Sequence, residues 1–333
     1  MTLSARKYLC YIFFVTKKLN IAHLSISFLI NSIIIFSFNS IASSDNPFEL
    51  IHGIDNRYDV ADYPLSNFQK LAKSVAGRVN INDLFWNDDL QKYEYTQKKL
   101  SEQFIKRYDL KRNGYFCPNT RYFNQNILPT CSGFIIDKNI LVTAGHCAMS
   151  IFACDQYVWV FDFVKGKKYI DKNDIYACDE VLVSKNTNEK YKFEDYSVIR
   201  LKRNVENRAP LKIRKKGHLK LGTPLVLIGH PLGLTMKIAD SATNRFMSKN
   251  EWQNPFKNWI KRRYYFTANT DSFGGNSGSP IFNKKTGIVE GILSGGDFDE
   301  DYNEELKCFD TKIKSNKTKN VDEMYFRITK LKY

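Results

Sequence analysis

Short runs of apolar and β-branched residues follow one another from residue 134 to the end of the chain. Ten runs stand out, at 134–136, 140–143, 158–163, 181–183, 196–201, 225–228, 264–267, 280–282, 288–293 and 325–328. Turn-forming residues separate them, as in the Asn-Lys-Lys-Thr-Gly segment 283–287. Runs this short, divided by turns, are typical of strands in sandwiches or barrels rather than of alternating βαβ units.

One segment departs from this pattern. Apolar residues near helical spacing lie among charged ones at Leu90, Tyr93, Leu100, Phe104 and Tyr108, and Asn87 or Asp88 could cap a helix there. We therefore predict a surface helix near residues 87–111, inserted between a first strand near 74–81 and the remaining β-structure. Its apolar face is expected to pack on the strands.

The segment 201–222 carries eight lysines and arginines, opposed only by Glu206. Such a run is typical of a solvated connector, and it divides the chain into two lobes. An anionic surface or nucleic acid is the alternative partner for it.

Composition narrows the class of protein. The chain has 333 residues, of which 43% are hydrophobic and 14% aromatic, so it can bury a sizeable core and is not expected to be disordered. Its length allows about two domains or one double-lobed domain. Seventeen glycines and nine prolines exclude a collagen-like chain. The net charge of +15 bears on solubility and non-specific binding, not on the fold.

Residues 1–42 resemble a leader. They contain four basic residues and no acid, a mostly apolar run at 24–38, and the small residues Ser40 and Ala42. We expect a signal peptide cut after Ala42, which makes the protein secreted or periplasmic with no stable membrane insertion afterwards. The apolar run is shorter than the roughly 20 residues of a membrane span, although an uncleaved anchor remains the alternative.

Six cysteines follow the leader: Cys117, Cys131, Cys147, Cys154, Cys178 and Cys308. An even number in an exported chain indicates disulfides, and six cysteines allow 15 pairings. The sequence has no CxxC pair and no HExxH motif, so we expect neither a metal nor another cofactor.

Three segments carry catalytic residue types. They are Thr-Ala-Gly-His-Cys at 143–147, Glu-Asp-Tyr-Ser-Val at 194–198 and Asp-Ser-Phe-Gly-Gly-Asn-Ser-Gly-Ser-Pro at 271–280. A serine hydroxyl attacks a carbonyl only when a base such as imidazole takes its proton, and a carboxylate can orient that base. Glycines beside the serine let backbone N–H groups converge on the resulting oxyanion.

The order of these groups selects among the known serine hydrolases. Every histidine after the leader, at 52, 146, 218 and 230, precedes Ser277. This excludes the α/β-hydrolase order, in which histidine follows serine. A subtilisin-like order would need an aspartate before the histidine, whereas the best candidate here, Asp195, follows His146. His146, Asp195 and Ser277 follow the chymotrypsin order.

The three motifs together resemble the chymotrypsin-like (trypsin-like) serine peptidases. The Gly-Asn-Ser-Gly-Ser-Pro segment and the words around it are similar to exported bacterial members, including the glutamyl-endopeptidase-like branch. The resemblance spans roughly residues 50–333. It implies an all-β fold of two six-stranded antiparallel barrels, at about 50–205 and 220–333, with the site between them.

The resemblance also implies roles for single residues. His146 would be the general base, Asp195 its orienting acid and Ser277 the nucleophile, with the oxyanion hole formed by Gly275 and Ser277. Substrates would be proteins or peptides, nucleic acid would not be a specific partner, and the protein would act as a monomer. A Cys131–Cys147 disulfide is implied too, and the remaining cysteines would pair as Cys154–Cys178 and Cys117–Cys308, the least strained remainder.

Two departures from the family pattern matter. Asn276 stands where animal digestive members have an aspartate that pairs with a freed N-terminal ammonium, so we expect a site that needs no such ion pair. Phe273 replaces the cysteine that braces trypsin's pocket.

The specificity pocket is the remaining part of the resemblance. Asp271 and Ser272 match its base, and Ser294 and Gly296 would form its wall. A carboxylate at the base predicts cleavage after arginine or lysine. The glutamyl branch uses a histidine in the wall, and Leu293 occupies that position here.

Competing interpretations are kept open. Glu194 or Asp179 could orient His146 in place of Asp195, and His218 and His230 are expected to be structural or exposed. The whole barrel pair could be catalytically silent and bind an anionic surface through its basic charge.

Overall fold

The structure is a computed structural model that describes residues 51–149, 153–189, 192–245, 260, 262–296, 300–315 and 322–333. The leader expected at 1–42 lies outside the described residues. In the described part of the chain, no helix is long and apolar enough to span a membrane.

Strands dominate the described chain. They are β1 (Ile51–His52), β2 (Arg57–Asp59), β3 (Val75–Asn80), β4 (Leu84–Asn87), β5 (Lys92–Tyr95), β6 (Ile105–Arg107), β7 (Arg112–Gly114), β8 (Cys131–Asp137), β9 (Ile140–Thr143), β10 (Tyr157–Phe161), β11 (Ile175–Asn188), β12 (Phe193–Leu201), β13 (Pro224–Gly229), β14 (Lys237–Arg245), β15 (Tyr265–Ala268), β16 (Pro280–Asn283), β17 (Val289–Gly295), β18 (Glu300–Asn303), β19 (Cys308–Thr311), β20 (Ile313–Lys314) and β21 (Glu323–Arg327). The α-helices are α1 (Ser66–Ala72) and α2 (Ala153–Gln156), and 3-10 turns lie at Val60–Asp62, Ile81–Asp83, Leu100–Glu102, Gly145–Cys147, Lys172–Asp174, Pro231–Gly233 and Ile328–Lys330.

The first barrel closes in the order β3, β8, β9, β12, β11 and β10, with β10 returning to β3. All six pairings are antiparallel. Its interior holds the buried side chains of Ala76, Ile135, Leu141, Trp159 and Ile199. Because side chains alternate across a strand, the apolar runs of the sequence put one face of each strand into this core.

The second barrel runs β13, β16, β17, β21, β15 and β14, and the pairing of β13 with β14 closes it. Leu227, Ala239, Phe266, Ile281 and Leu293 fill its interior. The short strand β2 precedes the first barrel in the chain but adds to β14 of the second. The expectation of an all-β chain with two six-stranded antiparallel barrels is confirmed.

The two barrels pack directly on each other. One apolar cluster takes residues from both, including Phe134 and Val142 of the first and Ile228 and Phe326 of the second. The rings of Tyr196 and Phe326 stack across this contact with centroids 4.8 Å apart. The connection between the barrels is the basic segment 202–223, in which Arg208 pairs with Asp162 and Asp174, and Arg214 with Glu290.

The predicted surface helix at 87–111 is wrong. This segment forms the end of one hairpin (β4–β5), the 3-10 turn Leu100–Glu102, and most of a second hairpin (β6–β7). Of the residues that suggested an apolar face, Leu100 is fully buried whereas Tyr108 is 83% exposed. The apolar residues at helical spacing are divided among two hairpins, the 3-10 turn and their connections, so they share no common buried face.

Three disulfides pair the six cysteines, one as the family resemblance implies and two as the expected remainder. Cys131–Cys147 joins the first residue of β8 to the turn that follows β9, and Cys154–Cys178 joins α2 to β11. Cys117–Cys308 connects residues 191 positions apart and ties the insertion between β3 and β8 to β19 of the second half.

Candidate active site

His146 lies in the 3-10 turn Gly145–Cys147, directly after β9. The turn is tight because Gly145 has no side chain: an added Cβ would overlap the Lys185 carbonyl oxygen and lie 2.9 Å from Asp195 Oδ1. The His146 side chain keeps 35% of its surface exposed. The backbone on one side of the imidazole is therefore closely packed, and the ring itself stays partly exposed to solvent.

Asp195 on β12 holds the imidazole. Its carboxylate is buried, with Oδ1 accepting the His146 backbone N–H at 3.0 Å and Oδ2 lying 3.0 Å from Nδ1. Because an ionised carboxylate only accepts hydrogen bonds, Nδ1 carries the imidazole proton and Nε2 is left as a base. The alternatives are not at this position, since Glu194 pairs with Lys192 at 2.8 Å and Asp179 is exposed.

Main-chain contacts place Ser277 against the loop that carries His146. The Ser132 N–H donates to the Ser277 carbonyl at 2.8 Å, and the Gly278 N–H donates to the Leu293 carbonyl at 2.8 Å. Gly278 has a φ of +88°, and an added Cβ there would overlap the Ser132 carbonyl and lie 2.8 Å from the Ala144 nitrogen. Among the described contacts, no hydrogen bond joins the half-buried Ser277 hydroxyl to the His146 ring.

The backbone beside Ser277 presents two open donors. In the described structure, the Gly275 and Ser277 N–H groups have no protein acceptor, whereas Asn276, Gly278 and Ser279 each donate to a carbonyl. Two neighbouring unpaired N–H groups are what an oxyanion hole requires.

The two peptides that flank Gly275 are fixed from outside the loop. The Leu232 N–H donates to the Gly274 carbonyl, and the Ser132 hydroxyl donates to the Gly275 carbonyl at 3.0 Å. Ser132 in turn accepts the His230 N–H at 3.0 Å. Gly275 has a φ of +91°, and a Cβ there would lie 2.5 Å from the His230 carbonyl oxygen, so only glycine fits.

Sequence reasoning missed these supports. Ser132 lies in the Cys-Ser-Gly-Phe motif, and Leu232 in the His-Pro-Leu-Gly-Leu segment 230–234, but neither has a side chain typical of catalysis. His230 itself is fully buried, its Nδ1–H donates to the Leu234 carbonyl, and burial lowers the pKa of its imidazole to about 4. Its neutral ring is structural.

The Asn276 side chain is also held in place, by hydrogen bonds to uncharged groups. Its amide nitrogen donates to the Ser272 hydroxyl at 3.2 Å and its amide oxygen accepts the Ser279 hydroxyl at 3.4 Å, with the side chain buried. A neutral network thus occupies the position where the ion pair would lie.

The expected pocket residues have partners of their own. Asp271 is 1% exposed, and its two carboxylate oxygens accept the His52 N–H at 2.8 Å and the Asn56 N–H at 2.7 Å. Burial raises the pKa of Asp271 to about 6, while these two N–H donors act in the opposite direction. Ser272 accepts the Asn276 amide, and the Ser294 hydroxyl lies 3.4 Å from the Asp195 carbonyl.

A carboxylate that the sequence did not single out lies beside the pocket wall. Gly296 is exposed, and a Cβ added there would overlap the carboxylate of Glu323, the first residue of β21. No motif marks Glu323, because only the pairing of β17 with β21 brings it to this position.

The site offers no metal cage in the part of the chain that is described. Cys131, Cys147 and His146 have ligand atoms within 4.8 Å of one another, but both sulfurs belong to the disulfide. One imidazole remains, which is too few ligands for a zinc site.

Three solved structures are similar to this chain. The chain is similar in structure to the scabies mite inactivated protease paralogue S-D1 (TM-score 0.49, 10% identity, 84% of this chain and 93% of that one). It is also similar to a Glu endopeptidase in complex with MPD (TM-score 0.45, 16% identity, 84% and 94%). A third similar structure is the VesB protease of Vibrio cholerae (TM-score 0.48, 12% identity, 84% and 65%).

No curated protein matches the sequence. Residues 116–318, more than half of the chain, match the family model described as Trypsin. The chain belongs to the trypsin family of chymotrypsin-like serine peptidases.

Proposed function

We propose that this protein is an exported serine endopeptidase that cleaves peptide bonds through an acyl-enzyme. The observation that carries the proposal is the pair of 3.0 Å hydrogen bonds from His146 to Asp195, beside a serine loop with two open N–H donors. A catalytically silent barrel would not need both an oriented base and an empty oxyanion hole.

The mechanism follows from these groups. His146 Nε2 takes the Ser277 proton as Oγ attacks the scissile carbonyl, and Asp195 stabilises the resulting imidazolium. The Gly275 and Ser277 N–H groups hold the oxyanion. His146 then gives the proton to the leaving amine, which departs and leaves the acyl-enzyme. Water, deprotonated by His146, hydrolyses the ester and restores Ser277.

Labelling with a fluorophosphonate tests this function. We expect the probe to attach to the protein, to be lost in Ser277→Ala, and to remain in the matched control Ser66→Ala, whose serine is exposed at the start of α1. Equal labelling of the Ser277→Ala variant would refute the assignment.

Asp195→Asn is expected to lower kcat by about 10⁴-fold, because the wrong imidazole tautomer then faces the serine.

The proposed substrate preference is cleavage after arginine or lysine. Its support is negative charge around the expected pocket: the buried Asp271 at its base, and the Glu323 carboxylate beside Gly296. We expect Asp271, whose carboxylate accepts two main-chain N–H groups, and Glu323 beside Gly296 to contribute together.

Matched anilides ending in Arg, Lys, Glu and Leu test the preference. The Arg and Lys anilides should be turned over at least tenfold faster than the Glu anilide, and Glu323→Gln should reduce that ratio. Equal turnover of the Arg and Glu anilides would contradict the preference while leaving the peptidase function intact.

Export is part of the same proposal. Three disulfides are expected in a secreted or periplasmic protein and are rare in the cytosol. The N-terminal sequence of the protein recovered from its natural compartment tests the cleavage after Ala42.

A further inference from the structure

A cavity of about 520 Å³ opens beside the Gly274–Gly275 peptide of the oxyanion loop. Much of its wall comes from the insertion between β3 and β8, and Leu128 and Leu232 supply apolar surface. Its charged and amide-bearing lining residues are Asp83, Lys98, Gln103 and Glu300. The volume lies in the range of ordinary small-ligand sites, so it can admit a side chain.

The position of the cavity indicates that the leaving-group half of a substrate would lie beside it. Residues 127–130 of its wall lead directly into Cys131, whose disulfide partner Cys147 follows His146. His146 delivers its proton to the leaving amine, so the leaving group must pass on this side. The expected acyl-side wall, Ser294 to Gly296, does not line the cavity.

The polar lining is richer in acceptors than in donors. Gln103 Oε1 is buried and has no hydrogen-bond partner within the described structure. The half-buried Asp83 carboxylate makes no ion pair with any described residue, and Glu300 has Arg107 at 3.6 Å. Lys98, which is exposed, is the cation among the lining residues. An unpaired buried acceptor costs free energy that a matching donor recovers.

We propose that this cavity is a subsite for a lysine or arginine side chain on the leaving-group side of the scissile bond. The proposal rests on the peptidase function above and adds a second determinant of substrate choice. A cationic side chain would face the Asp83 and Glu300 carboxylates, and rotation of the Gln103 amide would bring its unpaired Oε1 to that side chain. A glutamate in the same place would meet two like charges.

Internally quenched peptides test the subsite. They share one acyl-side sequence and carry lysine, norleucine or glutamate at each of the first three positions after the scissile bond. At one position we expect kcat/KM for the lysine peptide to exceed that for norleucine about tenfold, with glutamate lowest. Asp83→Asn and Gln103→Leu should each lower the lysine-to-norleucine ratio at least threefold, and Lys98→Met should raise it.

Asp89→Asn is the matched control, because it removes the same charge from an exposed turn of the same insertion and should keep the wild-type ratio. Fluorophosphonate titration counts active sites, and an anilide with no residue after the scissile bond reports acyl-side activity alone. Equal kcat/KM for all three peptides at every position, with labelling and anilide turnover intact, overturns the subsite only. Failure of labelling and of all turnover refutes the peptidase function and the subsite with it.

Discussion

At the scale of single residues, the serine loop depends on a hydroxyl that takes no part in proton transfer. Ser132 receives the His230 N–H and donates to the Gly275 carbonyl, so it links the end of β13 to the peptide that precedes Asn276. Its own N–H holds the Ser277 carbonyl. One residue thus anchors the loop on both sides of the oxyanion hole, which must be rigid before the substrate arrives.

Ser132→Ala should therefore lower kcat about tenfold and leave KM within about twofold, because the loop keeps its glycines and loses one anchor. Steady-state kinetics on the Arg anilide measures both constants. Ser74→Ala is the control, since the buried Ser74 hydroxyl donates to the Ala209 carbonyl at 2.6 Å, away from the loop. Equal kcat in the two variants would remove the anchoring role.

Asp271 predicts a pH dependence of stability. Its pKa is raised to about 6 by burial, whereas the unfolded chain titrates near 4. Between these values the folded protein retains a proton that the unfolded chain releases, so the free energy of unfolding falls as the pH rises. The fall is about 3 kcal/mol and is complete above pH 6.

Urea unfolding of the wild type and of Asp271→Asn at pH 4 and pH 7 measures this effect. The variant lacks the titration, so the stability of the wild type relative to the variant should fall by about that amount between the two values. Parallel pH profiles would show that Asp271 does not titrate as inferred.

At the scale of elements, three hairpins share one turn. Each of β4–β5, β6–β7 and β18–β19 is joined by four residues, with leucine third and a left-handed residue fourth. The fourth residues are Gln91, Lys111 and Lys307, with φ of 51°, 52° and 53°. The helix predicted at 87–111 spans the first two of these turns, because apolar residues at helical spacing do not reveal that the chain reverses between them.

The left-handed position makes a testable demand on side-chain type. Lys111→Val should destabilise the protein by about 1 to 2 kcal/mol, because a β-branched residue is strained at positive φ, whereas Lys111→Gly should not. Chemical unfolding measures both. Lys106→Val, at an exposed position on the neighbouring strand β6, should be tolerated because valine favours strands. A harmless valine at 111 would contradict the turn geometry.

At the scale of the whole molecule, the insertion between β3 and β8 belongs to both halves of the chain. It leaves the first barrel, contributes to the cavity beside the oxyanion loop, and is tied to β19 by Cys117–Cys308. Arg107 of β6 and Glu300 of β18 form a further contact between the insertion and the β18–β19 hairpin. The subsite therefore exists only when these distant segments are held together.

Removing Cys117–Cys308 by replacing both cysteines with alanine should cost more stability than removing Cys154–Cys178 in the same way. The sequence separations are 191 and 24 residues, which correspond to about 5 and about 3.5 kcal/mol from loop-closure entropy. Urea unfolding of the two double variants compares them. The reverse order would show that the long disulfide does not restrain the unfolded chain.

Local patterns in the sequence identify most of the barrel strands and the catalytic motifs. Short apolar runs specify which residues face a core, and that information is local, so ten runs located strands of both barrels. The glycines around Ser277 can be recognised for the same reason, because each is required by the backbone conformation at its own position.

Only the tertiary structure shows which acidic side chains contact which partners. Asp195, Glu194 and Asp179 are equally acidic in the sequence, and only the register of β12 beside the Gly145–Cys147 turn puts one of them on His146. The two main-chain partners of Asp271 lie more than 200 positions before it in the sequence. Glu323 lies beside Gly296 because β17 pairs with β21. Such contacts depend on how strands pair at long range, which no local pattern encodes.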